Sequence, residues 1–295
     1  MTRPVRLGAV GYLNARPLVY GLEAGPGPQA PGPRKRESSG AQPAEQAFLG
    51  PQASGLGPDL TVRFDVPSVC AKLLADGEID LGLVPTITYL ERPGDRVVPG
   101  VAIASDGPVA SVAIFTRRPI HEVRSLALDT SSRTSVVLTR ILCARRFAIA
   151  PAFVPHAPDL PAMLAACDAA LLIGDPALFA DYDALGVDKI DLGEAWTALT
   201  GLPFVWAFWA GRPDAADADI VGRLQEARDA GVAASDAVAD AYVGGDPDRR
   251  TVARRYLRES MKYDLSIRAL QGLRTYFREA AQLGLVGRSG PIEFF

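Results

Sequence analysis

Between Leu60 and Val84 the chain changes its hydrophobic period twice, and that change limits the fold more than any other feature. Leu60, Val62 and Phe64 alternate as in a half-buried strand. Pro67 and Ser68 then open a helical stretch in which Val69/Leu73 and Cys70/Leu74 share a side. Gly77 sits where a helix ends in the left-handed conformation. Ile79 to Val84 is the next apolar run. Strand, helix and strand at this spacing make a βαβ unit on a parallel sheet.

The pattern recurs. An opening strand is read at Val5, Leu7 and Ala9, and others at 109–115 and 125–128. Val137/Ile141 and Leu138/Leu142 mark a helix face after a Ser/Thr-rich start. The run 168–173 leads into Gly174-Asp175-Pro176, which reads as a capped helix start. An aromatic strand at 204–210 precedes a helical tail with the face Ile267/Leu270/Leu273/Phe277, closed by Gly284. Two sets of βα units joined by two crossovers imply two α/β lobes with a central cleft. Residues 1–103 and 208–295 are expected in lobe I and residues 104–207 in lobe II, with the tail covering lobe I. A cleft of this kind is the default place for a small ligand.

One stretch resists periodicity. Residues 24–58 hold seven Pro and seven Gly around the charged cluster Arg34-Lys35-Arg36-Glu37, and read as a flexible insertion outside the core. The formal charge of −3 gives no basic excess for a nucleic acid. No apolar run approaches the ~18 residues of a membrane span, and the first strand begins too early for a secretory segment. A cytoplasmic protein is therefore expected. Cys70, Cys143 and Cys167 have no metal or redox spacing and read as buried apolar residues. His121 and His156 are too few and too scattered for a zinc site.

Several polar groups point toward the cleft. Asn14 follows the first strand, where open α/β sheets bind ligands, although turn propensity serves the position equally well. Ser131, Ser132, Thr134 and Ser135 surround Arg133 at a helix start, with more hydroxyls than a cap needs, which favours a carboxylate or phosphate. Ser68 is a weaker candidate of the same kind. Ser111 lies at a crossover, and Asp175 sits at a helix start where capping competes with ligand contact. Trp196 is a candidate for the cleft wall, whereas Phe204, Trp206 and Phe208 read as core.

At these segments the chain resembles a known family, chorismate dehydratase of the futalosine route to menaquinone. The resemblance rests on YLNARPL (12–18), DGPVAS (106–111), SSRTSVVL (131–138), DAALLIGDPAL (168–178) and DLGEAWTALTGLPFVWAFWA (191–210), in the family's order. It implies the fold of type 2 periplasmic binding proteins and the conversion of chorismate to 3-[(1-carboxyvinyl)oxy]benzoate and water. It implies no metal, nicotinamide or other cofactor. Asn14 and Ser111 match positions expected at the reaction centre. Ser68, Ser132, Thr134, Ser135 and Asp175 are the expected substrate contacts. The base is either Asp175 or the enolpyruvyl carboxylate of the substrate. A 1,4-dihydroxy-6-naphthoate synthase-like enzyme and a non-catalytic solute-binding protein for a small carboxylate are the competing readings. Chorismate is the expected small-molecule partner, with no nucleic acid and no membrane span; a homodimer is left open.

Overall fold

The computed structural model describes residues 4–22, 60–287 and 290–295; the insertion expected at 24–58 lies outside them. Among the described residues, ten strands form two five-stranded sheets of matching design. In the first, β1 (Val5–Val10) lies between β2 (Leu60–Asp65) and β3 (Leu81–Pro85), parallel to both. β10 (Phe204–Gly211) then pairs antiparallel with β3 and with β4 (Arg96–Ser105). In the second, β6 (Ser125–Asp129) lies parallel between β7 (Ala152–His156) and β8 (Ala169–Ile173). β5 (Val112–Thr116) runs antiparallel to β8 and to β9 (Asp188–Asp191). Each sheet thus has a parallel core and one strand inserted against the grain. The inserted strands, β10 and β5, begin where the chain has crossed between sheets.

Local sequence explains the elements. Leu81–Pro85, Ala169–Ile173 and Phe204–Gly211 are buried at every position, as interior strands covered on both faces should be. Helix α1 (Pro67–Ala75) starts on proline, buries Cys70, Ala71, Leu73 and Leu74, and is followed by Gly77 at φ +72°. Val69, expected on the inner face with Leu73, is instead exposed, because the stripe runs through Cys70 and Leu74. All three cysteines are free and buried. No helix among the described residues is long and apolar enough to cross a membrane.

The tail departs from expectation. Helix α6 (Ala218–Ala233) packs on β4 and on the 3₁₀ helix Leu13–Val19, and α7 (Ser235–Val243) joins it there, so both cover lobe I. Helix α9 (Ile267–Gln282) lies instead across β10 and α2 (Thr134–Leu142), touching both lobes. Its inner face is Ala269, Gly272, Leu273, Tyr276 and Phe277; Ile267, expected on it, is 79% exposed. Tyr276 donates to the Thr134 carbonyl at 2.9 Å and packs edge-on to Phe204 and Trp196. Arg268, at the start of α9, reaches both chain crossings, donating to Asp106 and to the Gly201 carbonyl at 2.9 Å each. A single apolar cluster consequently runs through both lobes.

Gly272 makes this crossing possible, since a Cβ there would sit 2.0 Å from the Pro203 carbonyl oxygen. Gly272→Ala is expected to cost about 1–3 kcal/mol by overpacking a seam that cannot yield. Gly222→Ala on α6, where nothing lies within 4 Å, should instead stabilise by about 1 kcal/mol through helix propensity. Urea unfolding of the two variants checks the opposite signs.

Candidate functional site between the lobes

The first crossing builds one wall of the cleft. Gly107 donates its N–H to Thr197 Oγ1 at 3.1 Å. Val109 and Ala110 donate theirs to the Asp191 carboxylate at 3.0 and 2.6 Å. Ala110 adopts φ +63°, and the Ser111 N–H closes a three-residue turn on the Val109 carbonyl at 2.8 Å. Left-handed backbone at alanine costs roughly 1–3 kcal/mol and persists only where surrounding bonds hold it. Lys189 Nζ donates to the Ala110 carbonyl at 2.6 Å, and burial lowers the pKa of this lysine. The Ser111 carbonyl accepts from Gly174 at 2.7 Å, and Ser111 Oγ lies 2.7 Å from Tyr256 Oη. Ser111 is thereby fixed on every side except the one facing the cleft.

That cleft holds a pocket lined by residues of both lobes, the usual place for a small ligand. Its walls are mostly apolar: Val10, Pro67, Pro85, Ile103, Val109, Val112, Ile173 and Trp206 among them. The polar groups lining it are Tyr12, Asn14, Ser111, Ser132, Thr134 and Ser135. Five residues chosen from sequence, on three separate segments, therefore converge. Asn14 rides on the 3₁₀ helix after β1, and its Oδ1 is buried without a hydrogen-bond partner. A buried acceptor left unsatisfied costs about 1–3 kcal/mol, so the position suits a ligand donor.

The hydroxyl cluster is partly committed. Ser131 Oγ donates to buried Asp129 at 2.6 Å and does not line the pocket. Ser132 Oγ accepts from the Ser135 N–H, and Thr134 Oγ1 accepts from the Ile87 N–H across the cleft, both at 3.2 Å. Accepting uses a lone pair and leaves each hydroxyl proton available to a ligand. No Asp, Glu, Lys, Arg or His is among the described residues lining the pocket. The titratable group present is Tyr12, whose pKa burial pushes up to about 12.

Two expected contacts lie elsewhere. Ser68 is half-buried next to Pro67, which does line the pocket. Asp175 sits inside helix α4 (Gly174–Leu178), whose N-cap is Ile173, and not at its cap. Its carboxylate accepts from the Leu13 N–H of lobe I at 3.1 Å and from the Tyr242 hydroxyl of α7. It therefore fastens the lobes together behind the pocket; burial raises its pKa, against the opposing pull of these donors. Trp196 does not face the cleft, and Trp206, a core residue as expected, also lines the pocket. Trp196 is fully buried, with Nε1 donating to the Pro203 carbonyl, whereas Trp206 lines the pocket and donates to Ser105 Oγ. His121 and His156 are not among the lining residues.

Three contributors escaped sequence reading. Asp191 is followed by Glu194 at the start of helix α5 (Leu192–Thr200), a visible N-cap pattern; its second task on Val109 and Ala110 is not visible. Tyr12 packs its ring where a Gly174 Cβ would lie 2.6 Å from it. Tyr256, in the widened helical turn Tyr256–Ser260 after helix α8 (Pro247–Arg255), reads in sequence as one more apolar helix position.

Comparison with solved structures agrees on the architecture. A crystal structure of a protein from Archaeoglobus fulgidus superposes with a TM-score of 0.70 at 15% identity, covering 97% of this chain and 99% of that one. The alkanesulfonate-binding protein SsuA of Xanthomonas axonopodis pv. citri gives 0.62 at 16% identity, covering 97% and 95%. A Candida albicans protein described as having the generic periplasmic binding protein fold gives 0.62 at 11%, covering 98% and 92%. The fold is that of periplasmic binding proteins. Among curated relatives, the chorismate dehydratase of Thermus thermophilus is 34% identical over 194 residues, which are 60% of this chain and 70% of that protein. The sequence model described as menaquinone biosynthesis matches residues 5–282. With that match spanning nearly all of both lobes, the chain belongs to the menaquinone biosynthesis family.

Proposed function

We propose that the protein is a chorismate dehydratase, a hydro-lyase that converts chorismate to 3-[(1-carboxyvinyl)oxy]benzoate and water. The observation that carries this reading is a mainly apolar pocket ringed by neutral hydrogen-bond donors, with no side-chain base among the described residues that line it. Its support from relatives is the Thermus thermophilus enzyme.

The chemistry fits such a wall. The proton on ring carbon 3 of chorismate is vinylogous to the ring carboxylate. When its C–H pair moves into the ring, charge spreads into a dienolate. Return of those electrons expels the hydroxyl from carbon 4 and leaves a benzene ring. The driving force is aromatisation, so the protein has mainly to hold, orient and exclude water. The protons of Ser132 and Thr134, with Ser135, receive a carboxylate. Asn14 Oδ1, which has no protein hydrogen-bond partner, accepts from the ring hydroxyl. Ser111 donates to the departing oxygen.

The proton from carbon 3 goes to the enolpyruvyl carboxylate of chorismate itself, held close in the bound conformation. It is then passed to the leaving hydroxyl, which departs as water. Holding the base and the proton in one molecule in near-attack geometry removes the entropy cost of bringing them together, which favours the substrate carboxylate over a separate protein base. Asp175 is a poor candidate for that role, because both its oxygens are occupied and it lies outside the pocket lining. The binding-only reading is supported by the fold alone.

Purified protein incubated with chorismate is expected to form a product lighter by one water, read by mass spectrometry. Bound chorismate returned unchanged would favour the solute-binding reading. Asn14→Ala and Ser111→Ala should each lower kcat by about 10²-fold, the scale of losing one transition-state hydrogen bond. If both variants turned over like the parent, the site assignment would fail.

Asp175→Asn is expected to retain turnover within about tenfold, while Asp175→Ala should cost about 1–3 kcal/mol in urea unfolding by orphaning two donors. Loss of all turnover in the Asn variant, with chorismate still bound, would place the base on Asp175. The pH profile separates the same alternatives. With no lining group titrating near neutrality, kcat should stay flat from about pH 6 to pH 9. An acid limb inside that range that disappears in Asp175→Asn would point to the aspartate.

A further inference from the structure

Ser111 has a partner that the proposed reaction has not yet used. Tyr256 is 3% exposed and lies behind the pocket wall. Helical hydrogen bonding widens there, the Met261 N–H reaching the Tyr256 carbonyl at 3.2 Å. Such single wide turns are frequent at functional sites. This turn directs the phenol to Ser111 Oγ at 2.7 Å.

The proton directions follow from what each atom can do. A phenol has one proton, and Ser111 Oγ is the hydrogen-bond partner recorded for it among the described residues. If Ser111 donated instead, the phenol proton would be stranded in a buried site, at the cost of an unmade hydrogen bond. With the phenol as the donor in this pair, the Ser111 proton is left to turn into the pocket. Burial holds the Tyr256 pKa well above the usual phenol value, so the donor persists at neutral pH.

We infer that Tyr256 is a positioning residue that aims the Ser111 hydroxyl proton at the departing oxygen of the substrate. The inference rests on the chorismate reading and extends it: a rotating serine hydroxyl becomes a directed donor. Donation from Tyr256 also polarises the Ser111 O–H bond toward a developing negative charge.

Kinetics on the full chain test the pair. Tyr256→Phe keeps the ring and removes the proton. It should lower kcat by about tenfold through misdirection of a single donor, with KM within about twofold because ground-state binding is untouched. In a Ser111→Ala background the same change should cause no further loss, since its target is gone. Unchanged kcat in Tyr256→Phe, or losses that multiply in the double variant, would overturn the proposal.

A second measurement needs neither turnover nor a stable Phe variant. With ¹³Cζ-labelled tyrosine, one of the eight tyrosine lines should shift in Ser111→Ala, because a phenol loses its acceptor. Eight unmoved lines would overturn the proposal. A parent protein that leaves chorismate unchanged would remove the function reading, and the spectrum would then decide the hydroxyl pair separately.

Discussion

One carboxylate organises the junction of the two lobes. Asp191 accepts N–H groups from Val109 and Ala110 at one chain crossing and from Gly193 and Glu194 at the start of α5. The first pair holds Ala110 in a conformation that alanine avoids, and the second caps the helix that leads to the return crossing. Four donors on one anion are strong individually and set a geometry together. Release of that carboxylate would let the Ala110 turn relax. Ser111 would then lose its aim at both the pocket and Tyr256. The side chain central to the proposed chemistry is thus placed by a residue outside the pocket lining.

The pocket wall follows a consistent electrostatic logic. The proposed substrate, an acid with two carboxylates, would meet hydroxyls, an amide and a phenol, with no cation or side-chain base among the described lining residues. Neutral donors do not have to be desolvated as ions, and they leave the substrate's own carboxylates basic. A lining arginine or lysine would bind a dianion more tightly but would withdraw basicity from the carboxylate that is proposed to take the proton. The charged pairs that cross the cleft sit at its rim, as with Arg133 and Glu91. Asp175 and Tyr242 close it from behind.

Much of the chain was readable before folding. Hydrophobic period located both βα sets, and the motifs placed Asn14, Ser111, Ser132, Thr134 and Ser135 at element ends, where they do converge. What went astray did so for want of a local signal. Trp196 and Trp206 are equally aromatic, and which one faces the pocket depends on α9 covering the first. Gly174-Asp175-Pro176 has the local chemistry of a cap, but the Leu13 N–H that claims the aspartate is 162 residues away in sequence. The spacing of Val69 to Leu73 and of Ile267 to Leu270 predicts an inward face for both, but such spacing defines a stripe without saying where the stripe begins.

The sequence by itself determined the alternation of strands and helices, the two crossings and the polar character of the loops between them. These depend on side-chain period and turn chemistry, which act within a few residues. Only the tertiary structure decided which hydroxyl protons remain available, which carboxylate is spent on holding the lobes together, and that Tyr256 meets Ser111 across 145 positions of chain. A hydrogen bond is set by the distance and angle between two atoms, and sequence separation carries neither.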